Sequence, residues 1–148
     1  MKQKKLLESI VFFLFLFWIY AAVVKLADIS LWRFRLKEQP FDDVFAEPLA
    51  WGLPVLEFVI AALMISARTV KWGLYMGAAL LVVFSVYIGM IQLNFFSHVP
   101  CSCAGIVKSF GWTEHLIFNL VILAVTMYAI LRINRMQSGP APSLVQLS

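Results

Sequence analysis

The sequence predicts an all-α polytopic membrane protein, a bundle of four transmembrane helices with a short interfacial helix after the first span. The first observation is composition: 62% of the 148 residues are hydrophobic, only 14% are charged, and the mean hydropathy is +0.88. Soluble domains are roughly 45–50% apolar and about 25% charged, and a chain of this length could not bury the surplus. The second observation is that the apolar residues are concentrated in four long segments. Because lipid offers the backbone no hydrogen bonds, such segments cross a membrane as helices.

Each of the four apolar segments has the length of a membrane span, about 17–25 residues. The predicted spans are residues 6–26, 49–67, 72–94 and 113–132. The first follows three basic residues, Lys2, Lys4 and Lys5, as in a signal peptide. No small-residue cleavage pattern follows it, however, which favours an uncleaved anchor. We therefore expect one domain over residues 1–135, followed by a disordered cytoplasmic tail over 136–148.

The connection after the first span carries an amphipathic pattern. Asp28 or Ser30 can cap a helix at its start, and Pro40 ends it. Between them, apolar residues alternate with basic ones: Leu31, Trp32, Phe34 and Leu36 with Arg33, Arg35 and Lys37. This pattern predicts a short helix lying at the membrane surface, and a disordered loop is the alternative.

The basic residues predict the orientation of the spans, because short cytoplasmic connections are enriched in lysine and arginine. Seven of them lie on the side that holds both termini and the tight connection 66–71, against five on the other side. We therefore expect both termini in the cytoplasm and the chain in the bacterial cytoplasmic (inner) membrane, with connections 27–48 and 95–111 facing outward. The bases form no long patch, so nucleic-acid binding is not predicted.

Cys101 and Cys103, the two cysteines of the chain, lie one residue apart in the outward connection 95–111. A disulfide between them would close a very small ring, and strain makes such a bond easier to reduce. A purely structural disulfide is disfavoured because so short a loop constrains almost nothing. Redox chemistry is therefore the first hypothesis. Metal binding and the absence of any chemistry are the alternatives.

Two histidines flank the cysteine pair: His98 precedes Cys101 by three residues, and His115 opens the fourth span. Histidines and cysteines together can bind zinc or copper, although this spacing matches no standard zinc finger. Alternatively, a histidine beside the thiols could stabilise a thiolate, or each could be a hydrogen-bonded structural residue. Glu114 precedes His115 in the first turn of that helix, where the helix dipole favours a carboxylate.

Polar side chains within the predicted spans are concentrated in the outer half of the membrane. Lys25 ends the first span, Glu57 lies roughly 12 Å below the outer end of the second, and Gln92 ends the third. Asn119 follows His115 by four residues and shares its face of the fourth span. Ionisable groups in a membrane usually mark function, which suggests one functional centre. A structural ion pair between Lys25 and Glu57 is the alternative, and both can hold.

Five stretches of the sequence give it a family resemblance. They are Lys25-Leu26-Ala27-Asp28, Leu53-Pro54-Val55-Leu56-Glu57, Trp72-Gly73-Leu74-Tyr75, Val99-Pro100-Cys101-Ser102-Cys103-Ala104-Gly105 and Gly111-Trp112-Thr113-Glu114-His115-Leu116-Ile117-Phe118-Asn119. With these stretches, residues 5–132 resemble the methylamine-utilisation MauE family, within the broader DoxX-like group of four-helix membrane proteins. Ala104 departs from the family pattern, in which glycine or a bulky residue is expected at that position.

The resemblance implies a redox-associated membrane protein that works with a periplasmic thioredoxin-like partner. The founding type is thought to help mature a disulfide-rich dehydrogenase subunit. We therefore expect thiol–disulfide electron transfer at the outer face, with a quinone as the onward acceptor because an apolar pocket with a few polar groups suits its headgroup. The residues expected to take part are Cys101, Cys103, His115 and Glu114 in catalysis, and Glu57, Lys25, Asn119 and Gln92 around the cofactor. A soft-metal-binding or transport protein and a non-catalytic assembly subunit are the alternatives.

Overall fold

A computed structural model of the chain describes residues 2–39, 43–95 and 111–137, and this described part is helical, without strands. A short 3₁₀ turn, Asp43–Phe45, precedes the second long helix. The α-helices are α1 (Lys2–Ala27), α2 (Ile29–Lys37), α3 (Ala46–Ile65), α4 (Val70–Gln92) and α5 (Trp112–Gln137). Four of these, all except α2, are long and apolar enough to cross a membrane. The predicted all-α fold with four membrane spans is confirmed.

The helices extend further than the apolar segments at the two ends of the described chain. α1 begins at Lys2, four residues before the predicted span, and α5 continues to Gln137, five residues beyond it. Both extensions carry charged residues, such as Lys4 and Arg135. A helix satisfies its backbone internally, so it can continue past the apolar layer into polar surroundings. Of the predicted tail, residues 138–148 lie outside the described residues.

The short helix predicted after the first span is present as α2. Its first turn is capped by Asp28, whose Oδ1 accepts a hydrogen bond of 3.0 Å from the backbone N–H of Leu31. The buried side chain of Leu36 packs with Ala46 and Ala50 at the start of α3. The amphipathic pattern thus buries one apolar edge of α2 against α3, which fixes the short helix to the end of the bundle.

The four long helices form a ring in which α3 lies between α1 and α4, and α5 packs mainly on α4 and less extensively on α1. Trp18 and Leu14 of α1, both almost fully buried, lie at the centre with apolar residues of the other helices. The Trp18 indole reaches across to α4, where a Cβ on Gly77 would lie only 3.0 Å from its Nε1. The glycine therefore makes room for the indole within the core.

A second glycine, Gly73, allows α4 to approach the backbone of α3. A Cβ at this position would lie 3.0 Å from the carbonyl oxygen of Ile60, which belongs to a helix and cannot easily move. We expect Gly73→Leu to lower the free energy of unfolding by about 1–3 kcal/mol, because overpacking forces the two helices apart. Gly52 has nothing within 4 Å of its Cβ position, so Gly52→Leu is the matched control. Detergent-driven unfolding followed by circular dichroism would measure both, and equal losses would contradict the close contact.

Candidate membrane-embedded site

A cavity of about 330 Å³ lies at one end of the bundle. Its walls come from the C-terminal halves of α1 and α4, the N-terminal halves of α3 and α5, and one side of α2. Since all of these halves meet there, successive long helices run in opposite directions, as short connections favour. Most of the wall is aliphatic or aromatic, including Phe17, Leu53 and Phe84.

An ion pair between α1 and α3 forms the charged part of the wall. Lys25 Nζ lies 2.7 Å from Oε1 and 3.0 Å from Oε2 of Glu57, and it also donates to the carbonyl oxygen of Ala21 at 3.1 Å. The Glu57 side chain is 1% exposed and that of Lys25 11%. Trp32 of α2 adds a ring face 5.5 Å from Nζ, within cation–π range. The two charges predicted to meet here therefore form one buried, directly hydrogen-bonded pair.

The α2 helix covers one side of the cavity. Trp32, Arg35, Leu36 and Gln39 of α2 all contribute to its wall. Gln39 Oε1 accepts a hydrogen bond of 2.5 Å from the Tyr87 hydroxyl of α4, which ties the end of α2 across the cavity. The predicted surface helix is thus also a structural part of the site.

Four residues of the wall each contain a buried nitrogen atom that lacks a hydrogen-bond partner in the described part of the chain. These atoms are Nε1 of Trp18, Nε1 of Trp32, Nε of Arg35 and Nδ2 of Asn119. All four are N–H donors. Trp18 and Asn119 are 1% and 3% exposed, so bulk water does not satisfy them. A buried donor without a partner is rare in native proteins, but these nitrogen atoms are enclosed by protein and do not open onto the cavity.

The structure brings together some of the residues predicted for the site. Lys25, Glu57, His115 and Asn119 all line the same cavity. His115 and Asn119 share the face of α5 that was expected from their spacing. This grouping follows from the antiparallel bundle, which aligns the C-terminal end of α1 with the N-terminal halves of α3 and α5.

The other predicted residues lie elsewhere or outside the described chain. Gln92 is exposed at the end of α4, and Glu114 is exposed in the first turn of α5; neither is part of the cavity wall. Cys101, Cys103 and His98 fall in residues 96–110, outside the described residues. In residues 2–39, 43–95 and 111–137, no three His, Cys, Asp or Glu side chains form a group that could hold a metal ion.

Sequence reasoning did not assign Trp18, Arg35 or Gln39 to the site. Tryptophans in membrane helices usually serve as anchors or packing residues, so Trp18 carried no distinctive signal. One signal was present: Trp18, Ala21 and Lys25 follow a helical repeat and share one face of α1. Arg35 and Gln39 reach the cavity because of the way α2 packs against the bundle. The spacing of residues within α2 does not predict this packing.

A comparison with protein families decides the family of the chain. The model described as "Methylamine utilisation protein MauE" matches residues 3–132. The chain belongs to the MauE family. The match covers α1 to α4, residues 96–110 with both cysteines, and all but the last turn or so of α5, and it confirms the resemblance drawn from the five sequence stretches. No curated protein and no solved structure matches the chain.

Proposed function

We propose that this MauE-family protein exchanges disulfides with a periplasmic thioredoxin-like protein through Cys101 and Cys103. One observation carries the proposal. Helix α4 ends at Gln92 and α5 begins at Trp112, so the connection that contains both cysteines joins two helix ends on the side of the bundle that holds the polar cavity. At the opposite end of the described helices, the ion pair between Lys4 and Glu8 is exposed.

The chemistry is a balanced exchange between two dithiol–disulfide pairs. A thiolate of the reduced pair attacks a sulfur of the oxidised pair and forms a mixed disulfide, releasing one thiolate. The second thiolate of the attacking pair then attacks the mixed disulfide at the sulfur of its own pair and releases the sulfur of the other protein as a thiolate. One protein ends with a disulfide and the other with two thiols, so two electrons and two protons have changed hands. A Cys-x-Cys pair suits this role because its strained disulfide is easy to reopen.

Two residues at the start of α5 are proposed to handle the protons. Glu114 is exposed, and its carboxylate lies against Gly111, where residues 96–110 rejoin the helix. His115, the next residue, is half-buried and lines the cavity. The exposed Glu114 carboxylate and the His115 imidazole on the cavity wall are then adjacent proton acceptors, placed between the cysteine connection and the Lys25–Glu57 pair. In this proposal the protein lies in the inner membrane with both termini in the cytoplasm, and it supports maturation of periplasmic proteins.

The redox state of the two cysteines in intact cells tests the proposal. A membrane-impermeant maleimide should label them only after mild reductant, because the pair is expected to face outward and to rest as a disulfide in an oxidising compartment. The chain has no other cysteines, so Cys101→Ser with Cys103→Ser gives a background without signal. Thiols reached only from the cytoplasm would contradict the orientation. Thiols that react only after chelation would instead indicate a metal-binding protein.

A further inference from the structure

We infer that the cavity holds one acyl chain of an anionic phospholipid, whose phosphate group pairs with Arg35 of α2. The inference goes beyond the proposed thiol exchange. It is argued from residues of α2 and α4 and does not depend on the cysteines, so either proposal can fail without the other.

Arg35 carries the uncompensated charge of the cavity wall. The charged residues among the described part of the wall are Lys25, Arg35 and Glu57, and Lys25 and Glu57 neutralise each other at 2.7 Å. Arg35 forms no ion pair with a described side chain. Its Nε is enclosed by protein, but the two terminal nitrogens of the guanidinium group are not among the enclosed atoms. The wall therefore presents one positive charge without a partner in the described chain.

The rest of the cavity suits a hydrocarbon chain. Most of its wall is apolar, with Phe17, Leu53, Leu81 and Phe84 among its residues. The volume of about 330 Å³ is near the lower end for ligand pockets, roughly 300–1,000 Å³, which matches a single chain better than a bulky headgroup. A hydrated anion would be costly to bury against these side chains, so the charged group belongs beside Arg35 and the apolar part in the cavity.

The cavity runs from the level of α2 into the apolar layer. The hydrogen bond between Tyr87 and Gln39 places Tyr87 at the level of the end of α2. Val83 and Leu80, which also line the cavity, precede Tyr87 by four and seven residues in α4. At 1.5 Å per residue they lie roughly 6 Å and 10 Å deeper in the membrane. This length accommodates the upper part of an acyl chain that starts at the membrane surface.

Val83 indicates where the chain would enter. It belongs to the cavity wall, yet it is 61% exposed, and it lies near the middle of the α4 span. A wall residue exposed at this depth opens the cavity sideways to lipid. A lipid can therefore move in from the bilayer and keep its second chain outside.

The charge of the wall favours an anionic lipid over a zwitterionic one. A guanidinium group binds phosphate through two parallel hydrogen bonds, and both lipid classes contain a phosphate. The zwitterionic headgroup also brings an ammonium group, and Glu57, the acidic residue of the described wall, is already paired with Lys25. Basic residues at the membrane surface attract anionic lipids for the same reason.

Lipid titration followed by native mass spectrometry tests the inference. The purified full chain in detergent would be titrated with phosphatidylglycerol and with phosphatidylcholine that carries the same acyl chains. We expect one phosphatidylglycerol to bind about tenfold more tightly than phosphatidylcholine, and Arg35→Gln to remove this preference, the effect of losing roughly one charge-assisted hydrogen bond. Lys37→Gln is the matched control, because Lys37 is an exposed base on the same helix and is not part of the cavity wall.

A second pair of variants tests the position of the acyl chain. Val83→Phe should narrow the opening and weaken binding of phosphatidylglycerol about tenfold. Val86→Phe is its control, since Val86 is also exposed on α4, at 58%, but does not line the cavity. Both positions are exposed, so the fold should tolerate the larger ring, and circular dichroism should show all variants folded.

Three results would overturn the inference. Equal binding of the two lipids, or equal losses in Arg35→Gln and Lys37→Gln, would show only general attraction to the basic helix. Unchanged binding in Val83→Phe would place the acyl chain elsewhere. Displacement of the lipid by glycerol 3-phosphate, which has no acyl chains, would indicate a site for soluble phosphate compounds instead.

Discussion

Replacing Lys25 with methionine is expected to lower the free energy of unfolding by about 3–5 kcal/mol, the loss typical when one partner of a buried ion pair is removed. Glu57 would remain on α3 with 1% of its side chain exposed and without the ammonium group that now donates to both of its oxygens. The cavity wall around it offers little compensation, because the neighbouring side chains are largely apolar. Unfolding of the purified chain by SDS in mixed micelles, followed by circular dichroism, measures the loss.

The double variant, Lys25→Met with Glu57→Leu, should recover most of that stability. Replacing both charges of a buried pair by apolar groups of similar volume is often neutral or stabilising, since neither charge must then be desolvated. A double variant as unstable as Lys25→Met would show that the two side chains stabilise the fold by packing and not by their pairing.

The ion pair between Arg33 and Glu47 provides the matched control. It also joins two helices, α2 and α3, but its side chains are 44% and 47% exposed. Exposed ion pairs contribute about 0–1 kcal/mol, so Arg33→Met should have a small effect. An equal loss in Arg33→Met and Lys25→Met would remove the case for a special buried pair.

The fold could be predicted from the sequence because the signal is simple. An apolar segment that crosses lipid must satisfy its own backbone hydrogen bonds, and a helix does so. The four long helices could therefore be predicted from composition and segment length. The ends of α1 and α5 could not be predicted in the same way. Hydropathy reports where lipid ends, whereas a helix ends where its backbone hydrogen bonds end, and Lys2 and Gln137 lie beyond the apolar layer.

The candidate site could be predicted only in part. Lys25, Glu57, His115 and Asn119 stood out because polar residues are costly in lipid, and the structure joins all four at one cavity. Gln92 had the same signal, yet it is exposed at the end of α4, because depth along a helix does not determine which way a side chain faces. Trp18 was missed for the opposite reason: its polar atom is one nitrogen on a large apolar ring.

Separate replacement of the two cysteines is expected to give opposite results for covalent capture of a partner. In one of the variants Cys101→Ser and Cys103→Ser, the attacking thiolate remains but the cysteine that resolves the mixed disulfide is absent. The complex with a thioredoxin-like protein should then accumulate to readily detected levels. The other single variant and the double variant should show none. Acid quenching of cells, alkylation, non-reducing gels and mass spectrometry of the shifted band would measure this.

The same assay also shows whether the cavity takes part in capture of the partner. Formation of the mixed disulfide needs only the thiols, so adding Asn119→Leu to the capturing variant should leave the complex intact. Complexes that persist in the double serine variant would mean that partner contact does not use Cys101 or Cys103, and the proposed exchange would be wrong. Loss of the complex in the variant with Asn119→Leu would show instead that the cavity wall takes part in the reaction of the thiols.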